Sequence, residues 1–336
     1  MFGLRNRRKI LFTLIILALL LSLGFVPIAS YSFAPGVALA VKTQIHVADE
    51  RNLSKEGKVL MTDILLTQLT PITWMIGHFN SQISIYPAAE VFGSTIPSNV
   101  VQTQLGEMSN AKTDAVLAAL NYAHLRYQSI SGALINGTEA KTTPGINPGD
   151  LIYSVNGIRT LTASQAAKLI VATRGSVKLL LLRQGIAVGT LKRISLVARK
   201  FSLDGRDVLG VVLSDGYALK LANPISISTG QIGGPSAGLA FSLGVLEALR
   251  YLHIDRLSVI GVTGTISPNG LVGDVGGVKQ KAIAVARAGA KYFLVPPQEY
   301  AAAISAKQKS LHVVAVSSVR QAISFISSRN LGYLEK

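Results

Sequence analysis

The hydrophobic positions of this chain follow three different patterns from its amino to its carboxyl terminus. Residues 10–29 read ILFTLIILALLLSLGFVPIA and carry no charge over twenty positions, the length that a helix needs to cross a hydrocarbon layer of about 30 Å. Residues 120–203 alternate apolar and polar positions in short runs, which predicts a β-rich domain. Residues 204–336 alternate strand-like and helix-like runs, which predicts a compact α/β (α+β) domain.

The uncharged run at residues 10–29 predicts a single transmembrane anchor. Four basic residues precede it, namely Arg5, Arg7, Arg8 and Lys9. Basic residues stay on the cytoplasmic side, so residues 1–9 form a cytoplasmic tail and the remaining domains are expected outside the cytoplasm, at the cell membrane. A cleaved signal peptide is the alternative, because residues 38–40 read ALA. The run exceeds a signal core of roughly 7–15 residues, so we favour an uncleaved anchor.

Composition excludes several classes of site. The chain has no cysteine and only five histidines, which lie at His46, His78, His124, His253 and His312. Disulfides, thiolate zinc sites and a cysteine nucleophile are therefore excluded, and no HExxH pair occurs. Lys and Arg number 33 against 17 Asp and Glu, for a formal charge of +16. This excess favours anionic surfaces such as lipid headgroups, whereas dispersed basic residues without aromatic partners argue against nucleic acid.

Residues 30–119 carry no chemical signature. The runs KTQIHV and SQISIY predict strands, and TDILLTQLTPITWMIGHF predicts a helix that Pro71 interrupts or starts. Residues 109–123 have a cap and apolar spacing that predict a further helix. The sequence assigns no role to this N-terminal extracytoplasmic region.

The segment PGDLIYSVNG places alternating apolar residues before an Asn156-Gly157 turn, a strong hairpin signal. A helix-like run, TASQAAKLIVAT, and a strand-like run, SVKLLLLRQG, follow. Residues 120–203 thus resemble a PDZ domain, a fold that adds an extended peptide to a sheet edge. The resemblance implies a peptide-binding domain, although the usual apolar-glycine loop for a free carboxyl terminus is not evident near YQSISGALING.

The last domain opens its first long helix with STGQIGGPSAG, which places Ser236 at a helix start. Strands are predicted at VLGVVLS, ISISTG, LSVIGVTGTI and KYFLVPP, and helices over 236–251 and 278–288. Unpaired N–H groups at a helix start could hold an oxyanion beside a serine nucleophile. Serine is also a favoured helix cap, and that structural role is the commoner one.

A serine nucleophile needs a base, and no histidine lies in a comparable glycine-rich setting. The segment GGVKQKAIAVARAGAKYFLVP carries Lys279 and Lys281 at the two edges of an apolar helix stripe, with Gln280 and Arg287 expected to point away. Burial lowers the pKa of a lysine until the neutral amine accepts a proton. Helix geometry alone does not choose between the two lysines, and either could be an exposed lysine with a packed stem.

These two segments together resemble the proteolytic domain of Lon-type serine proteases. GGPSAG matches the nucleophile motif, and the family's catalytic lysine, four residues after the second glycine of the pair, falls on Lys281. The resemblance implies a Ser236–Lys281 dyad, with Thr263 of VTGTI bonding the lysine and with Gly234 and Ala237 in support. Many ATP-dependent relatives carry an acidic residue where this chain has Gly233, and Asp274 is a weak replacement.

With the anchor and the PDZ-like domain, the whole chain resembles the membrane-anchored, PDZ-containing Lon-like proteases of bacteria. No G-x-x-x-x-G-K-[ST] motif occurs, so the resemblance implies an ATP-independent serine endopeptidase without cofactor or metal. Its expected substrates are exported peptides and unfolded or membrane proteins. The lipid bilayer is a further expected partner and nucleic acid is not, while family resemblance alone implies a hexameric ring.

Two other functions are compatible with parts of this pattern. GHMP kinases resemble Lon-type domains and place a glycine-rich, serine-containing loop at a helix start, where it holds phosphate. The GGVKQK segment and the expected location outside the cytoplasm argue against a kinase. A catalytically inert PDZ-type adaptor is the other alternative, and the presence of both Ser236 and Lys281 argues against it.

Overall fold

A computed structural model of the chain describes residues 12, 14, 24–47, 58–92, 97–185, 187–203, 205–230, 232–254, 258–306 and 308–334. The predicted cytoplasmic tail, 1–9, and most of the predicted anchor, 10–29, lie outside these residues. Among the helices that the structure describes, none combines the length and the apolar character needed to cross a membrane.

The strands and helices alternate irregularly along the chain. The strands are β1 (Ser30–Ala40), β2 (Ile45–Val47), β3 (Lys58–Gln68), β4 (Ser84–Pro87), β5 (Gln128–Thr138), β6 (Leu151–Val155), β7 (Ile158–Arg159), β8 (Val177–Gln184), β9 (Ala187–Val188), β10 (Leu191–Ala198), β11 (Phe201–Leu203), β12 (Arg206–Val208), β13 (Val211–Lys220), β14 (Ile225–Ile227), β15 (Leu252–Ile254), β16 (Val259–Val262), β17 (Thr265–Ile266), β18 (Val272–Gly273), β19 (Tyr292–Val295), β20 (His312–Ala315) and β21 (Gly332–Leu334). The helices are α1 (Pro71–His78), α2 (Ala88–Phe92), α3 (Pro97–Tyr122), α4 (Ala163–Ala172), α5 (Gly238–Ala248), α6 (Val278–Arg287), α7 (Tyr300–Ile304) and α8 (Val319–Ser328), with 3-10 turns at Val41–Gln44 and Pro297–Glu299.

A mixed sheet joins the two ends of the chain. Its strand order is β20, β19, β16, β3, β1, β4. The pairs that β16 makes with β19 and β3 are parallel, whereas β1 runs antiparallel to both β3 and β4. Residues 30–119, for which the sequence suggests no chemistry, thus supply half of this central sheet.

Helices cover both faces of the central sheet. Successive side chains of a strand point to opposite faces, so Val59 and Met61 pack with α5 in one core while Leu60 packs with α6 in another. Every residue from Gly238 to Glu247 of α5 is buried, as the nearly uninterrupted apolar sequence of this helix predicts. The two cores fix α5 and α6 to opposite sides of the same strands.

A second sheet forms a separate layer with its own core. Its order is β10, β8, β6, β5, β13, with β7 paired to β6. The predicted hairpin is present, because Asn156 and Gly157 form the turn between β6 and β7, and α4 packs on this sheet. Strand β13 pairs with β5 along its whole length, so the sheet extends beyond the predicted limit of residues 120–203. The likeness to a PDZ domain remains a prediction.

The helix predicted from TDILLTQLTPITWMIGHF is only partly correct. Residues up to Gln68 belong to strand β3, because residues 60–68 pair with β1, while β16 pairs with residues 58–60 at the start of the strand. The helix begins at Pro71, where the Thr70 and Thr73 side chains form a reciprocal capping box. Pro71 therefore starts the helix, in agreement with one of the two roles expected for it.

Helix α3 joins the two sheets through a buried polar contact. The Tyr217 hydroxyl of β13 donates a hydrogen bond to the Asp114 carboxylate of α3. Desolvation raises the pKa of Asp114 to about 6, although the hydrogen bond from Tyr217 opposes this rise. Because the native state then binds the proton more tightly than the unfolded chain, stability falls as the pH rises from about 4 to about 6.

Replacing Asp114 by asparagine is therefore expected to stabilise the protein above pH 6. The amide oxygen still accepts the Tyr217 hydrogen bond but carries no charge, so the free energy of unfolding at pH 8 should rise by about 1–3 kcal/mol. Urea unfolding at pH 5 and pH 8 measures the effect. Exposed Asp207 is the matched control, and Asp207→Asn should change neither value. Equal stability of Asp114→Asn and wild type at pH 8 would contradict the argument.

Candidate active site

Ser236 lies in the turn that leads into α5, and its side chain is half-buried. The N-cap position of α5 belongs to Ala237, and no side chain caps this helix. The hydroxyl of Ser236 makes no hydrogen bond among the described residues. Helix capping, the commoner role for a serine at this place, therefore does not account for Ser236.

The glycine pair before Ser236 is fixed by contact with α3. Gly234 has a φ of +84°, which favours glycine, and its N–H donates to the Gln104 carbonyl over 3.0 Å. A Cβ at residue 233 would come within 2.9 Å of the Gln104 Cβ. Close approach of α3 thus disfavours a side chain at the position where the sequence lacks the acidic residue of ATP-dependent relatives.

The start of α5 leaves amide donors beside Ser236. Gly238 N–H bonds to the Pro235 carbonyl and Leu239 N–H to the Gly264 carbonyl. The N–H groups of Ser236 and Ala237 have no acceptor in the part of the chain that the structure describes. Two such donors at the positive end of a helix suit a developing oxyanion.

Thr263 connects the serine turn to the lysine helix. Its hydroxyl donates to the Ser236 carbonyl over 3.2 Å and accepts from Lys281 Nζ over 3.4 Å. Gly264 N–H also donates to the Ser236 carbonyl. Thr263 is fully buried at the end of β16, so the central sheet fixes the relative positions of the turn and the lysine.

Lys281 is buried on the inner face of α6. Its side chain is only 2% exposed, while Lys279 on the same helix is half-buried. Desolvation lowers the pKa of Lys281 to about 8, against smaller opposing effects of the Glu299 and Asp63 carboxylates. The structure thus distinguishes two lysines that helix geometry alone leaves equivalent, and it makes Lys281 the one with an accessible neutral form.

The expectation that Gln280 points away from the core is wrong. Gln280 is 1% exposed and its Nε2 donates to Ser84 Oγ over 2.8 Å, because β4 covers that side of α6. Arg287, expected on the same outer face, is exposed and bonds to the Gln82 side chain. The sequence gives no sign that residues 82–84 return to pack against α6.

Carboxylates near Lys281 come from places that the motifs do not indicate. Glu299 precedes α7 and Asp63 lies in β3, where its Oδ1 accepts the Val37 N–H over 2.7 Å. Asp274, the acidic residue considered from the sequence, is exposed and acts on Glu299, whose pKa it raises in addition to burial. Both nearer carboxylates favour the charged form of Lys281.

Ser236 and Lys281 line one cleft of about 560 Å³. Its walls combine apolar and polar groups, and the N-terminal half of the chain supplies many of the apolar residues, which include Phe33, Leu39, Met61, Leu66, Val91 and Met108. Gln104 and Glu107 add polar groups from α3. The described residues contain no group of three or more carboxylate or histidine side chains placed to hold a metal ion.

Comparisons with known proteins find similarity to Lon proteases. Residues 225–328 match the Lon protease (S16) C-terminal proteolytic domain. The chain is 31% identical to Lon protease 2 of Bacillus subtilis over 144 residues, which are 43% of this chain and 23% of that protein. It is 22% identical to the Lon protease of Ureaplasma parvum over 247 residues, 72% of this chain and 29% of that protein.

A mammalian protein is also similar to this chain. The peroxisomal Lon protease homolog 2 of Rattus norvegicus is 35% identical over 97 residues, 28% of this chain and 10% of that protein. The chain thus spans less than a third of the length of each of these relatives. Residues 225–328, which contain Ser236, Thr263 and Lys281, are therefore similar to the proteolytic domain of the Lon proteases, and this similarity supports a Lon-like serine protease.

Proposed function

We propose that the chain is an ATP-independent, membrane-anchored serine endopeptidase that uses Ser236 as nucleophile and Lys281 as base. The observation that carries the proposal is the chain of contacts from Ser236 through Thr263 to a buried lysine. Burial of an amine that has no carboxylate in direct contact does little to stabilise the folded protein. Lys281 bonds to the same threonine that holds the Ser236 carbonyl, and both residues line one cleft, which supports a chemical role for the amine.

The base must be neutral when it acts. Desolvation lowers the pKa of Lys281 to about 8, so the neutral amine is populated near that pH. Nζ donates a hydrogen bond to Thr263, which leaves the nitrogen lone pair free to accept a proton. Lys281 Nζ then takes the proton from Ser236 Oγ as Oγ bonds to the peptide carbonyl carbon. Buried Thr263 acts as a positioning residue, because it fixes the amine relative to the turn that carries Ser236.

Three further proton transfers complete the cycle. The amide N–H groups of Ser236 and Ala237 stabilise the oxyanion of the tetrahedral intermediate. The carbon–nitrogen bond breaks as the Lys281 ammonium returns its proton to the leaving amine. Water then attacks the acyl ester, Lys281 accepts one water proton, and Ser236 Oγ regains a proton as the acyl–oxygen bond breaks. The net reaction is hydrolysis of one peptide bond.

The shape of the cleft favours flexible polypeptide as substrate. A volume of about 560 Å³ lined partly by apolar side chains admits a few residues of an extended chain and excludes folded domains. The sequence carries no phosphate-binding loop for an ATP-driven unfolding step. Exported peptides and unfolded or membrane proteins are therefore the proposed substrates, recruited through the PDZ-like second sheet.

The position of β1 supports retention of the proposed anchor. Cleavage after residue 40, where the sequence reads ALA, would remove the strand Ser30–Ala40 from between β3 and β4. It would also remove Phe33 and Leu39 from the cleft wall. We therefore favour an uncleaved anchor over residues 10–29, with the proteolytic domain outside the cytoplasm.

The direct test is hydrolysis of unstructured casein by the full chain in detergent, without ATP. The proposal requires time-dependent fragments whose amount does not change when ATP and magnesium are added. Absence of cleavage of casein and of membrane-protein fragments would favour the inert adaptor instead. Thermal stabilisation by ATP with magnesium, without cleavage, would favour the kinase.

The rate of hydrolysis is expected to rise with pH through about 8. Because only the neutral amine accepts the proton, a pKa of about 8 leaves about a tenth of the molecules active at pH 7 and about half at pH 8. The value of kcat/KM for a short fluorogenic peptide should therefore increase about fivefold between these two pH values.

Substitution of Glu299 provides a control, because the direction in which it should shift the pH profile is known in advance. Its carboxylate favours the ammonium form of Lys281, so Glu299→Gln should move the rise in kcat/KM to lower pH. Glu299 does not line the cleft, and glutamine retains an acceptor for the Val275 amide that now bonds Glu299. A shift to higher pH, or a profile with no rise near 8, would contradict the assignment of Lys281 as base.

A further inference from the structure

An exposed apolar surface surrounds α1, at the end of the central sheet where β1 begins. We define the α1 patch by its exposed side chains, which are Phe25, Val26, Trp74, Met75, Ile76 and Phe79. Phe79 is 88% exposed and Phe25 is 80% exposed. Large apolar side chains so open to solvent around one short helix indicate a covering partner.

The two parts of the patch are contiguous. A Cβ at residue 24 would lie 3.5 Å from the Ile72 side chain of α1. Two backbone hydrogen bonds, Ile28 N–H to the Leu69 carbonyl and Leu69 N–H to the Ser30 carbonyl, then join the incoming chain to the residues just before α1. Residues 24–26 are thus held against the start of the helix.

The patch lacks charge in its sequence neighbourhood. Residues 64–89 contain no Asp, Glu, Lys or Arg, and neither do residues 10–41. A surface that enters a low-dielectric phase must exclude charges, because each costs several kcal/mol there. The backbone also suits such a phase, since the capping box at Thr70 and Thr73 satisfies donors at the start of α1 internally.

The chain reaches this patch directly from the uncharged residues 10–23. A partner that covers the patch must therefore lie where that segment ends. Arg287 stands beside the patch, bonded to Gln82 in the turn after α1, and the whole chain carries a formal charge of +16. An apolar surface with a cation at its rim matches the acyl and headgroup layers of an anionic bilayer.

We infer that the α1 patch inserts into the interfacial layer of a phospholipid bilayer, as a second membrane contact next to the anchor. The inference rests on the anchor proposed above, since that segment delivers the patch to the membrane. Trp74 lies in the patch, and aromatic side chains of this kind favour the interface between headgroups and acyl chains. Contact at α1 would fix the orientation of the cleft relative to the membrane.

Trp74 is the only tryptophan of the chain, so its fluorescence reports on the patch alone. The full-length protein is reconstituted in phosphatidylcholine–phosphatidylglycerol vesicles, with phospholipid brominated near the headgroup end of its acyl chains as quencher. Insertion predicts emission at shorter wavelength than in a water-exposed state, loss of fluorescence with the brominated lipid, and protection from acrylamide. Bromine near the bilayer centre should quench less.

Substitutions in the patch give a graded control. The double variant Ile76→Ser with Phe79→Ser keeps Trp74 but removes apolar surface, so it should lose most of the lipid quenching and keep its peptidase activity in detergent. Val212→Ser, at an exposed apolar position of the second sheet, should behave as wild type. Ser236→Ala should also retain the quenching, which separates this inference from the proposed catalysis.

Two results would overturn the inference. If the chain floats with vesicles but Trp74 stays accessible to acrylamide and unaffected by brominated lipid, the anchor stands and the patch does not touch the bilayer. If Trp74 is shielded without any lipid quenching, and the shielding disappears on dilution in detergent, a second copy of the chain covers the patch. If the chain does not float with the vesicles, both the proposed anchor and this contact are wrong.

Discussion

Replacing Ser236 by alanine is expected to reduce peptide hydrolysis by at least about a thousandfold, to the rate of the uncatalysed background plus any stabilisation from the remaining site. The hydroxyl is the only group proposed to bond to the substrate carbon. Because Ser236 caps no helix, its removal should change the free energy of unfolding by less than about 0.5 kcal/mol. Release of peptides from casein and urea unfolding measure the two quantities.

Ser242→Ala, in the helix that follows Ser236, is the matched control. Its hydroxyl is fully buried and donates to the Gly238 carbonyl over 3.0 Å, so its loss should cost about 1 kcal/mol of stability. Activity should stay near that of wild type. Peptide hydrolysis by folded Ser236→Ala at the wild-type rate would end the proposal of a serine nucleophile here.

Replacing Lys281 by methionine is expected to remove activity to a similar extent while leaving the protein folded. Methionine fills a similar volume but accepts no proton. Since burial lowers the pKa of Lys281 to about 8, folding is opposed below about pH 8 and this cost disappears above the unfolded pKa. Methionine should thus raise the free energy of unfolding at pH 7 by up to about 3 kcal/mol, less the lost bond to Thr263.

Lys279→Met is the matched control, because it makes the same substitution at a lysine of the same helix that lies outside the cleft. Lys279 is half-buried and does not line the cleft, so this variant should keep its activity and its pH profile. An active Lys281→Met protein, or an inactive but folded Lys279→Met protein, would show that the base has been assigned to the wrong residue. Thermal unfolding of each variant separates loss of catalysis from loss of fold.

The local elements could be predicted because each depends on neighbouring residues. The apolar helix after Ser236, the turn at Asn156-Gly157 and the helix start at Pro71 all follow from short-range patterns. The strand character of residues 62–68 could not, because it depends on pairing with β1, a separate segment of the chain. Pairing with another segment leaves no periodic signal in either strand.

The candidate site likewise has features that local sequence predicts and features that depend on tertiary packing. Glycine-rich motifs indicated Ser236 and the pair Lys279 and Lys281, since such sequences mark sharp turns before helices, and the resemblance to Lon-type proteases favoured Lys281. Asp63 and Glu107 carry no motif, and they reach the cleft only because the strands and helix of the N-terminal region complete the sheet. Lys281 is buried for the same reason, because the N-terminal region completes the sheet. The sequence therefore indicates the reactive groups, whereas tertiary packing determines their protonation.

The second sheet leaves the proteolytic core and returns to it at adjacent points. Gln128 opens β5 directly opposite Lys220, the last residue of β13, so the two chain ends are about 5 Å apart. A unit whose two ends lie together can be gained, lost or exchanged as one contiguous stretch, provided that its outside contacts, the β9–β14 pairing and the Tyr217–Asp114 bond, are replaced. Selection could thus retarget such an enzyme by replacing one contiguous stretch of its gene while the reacting groups keep their places.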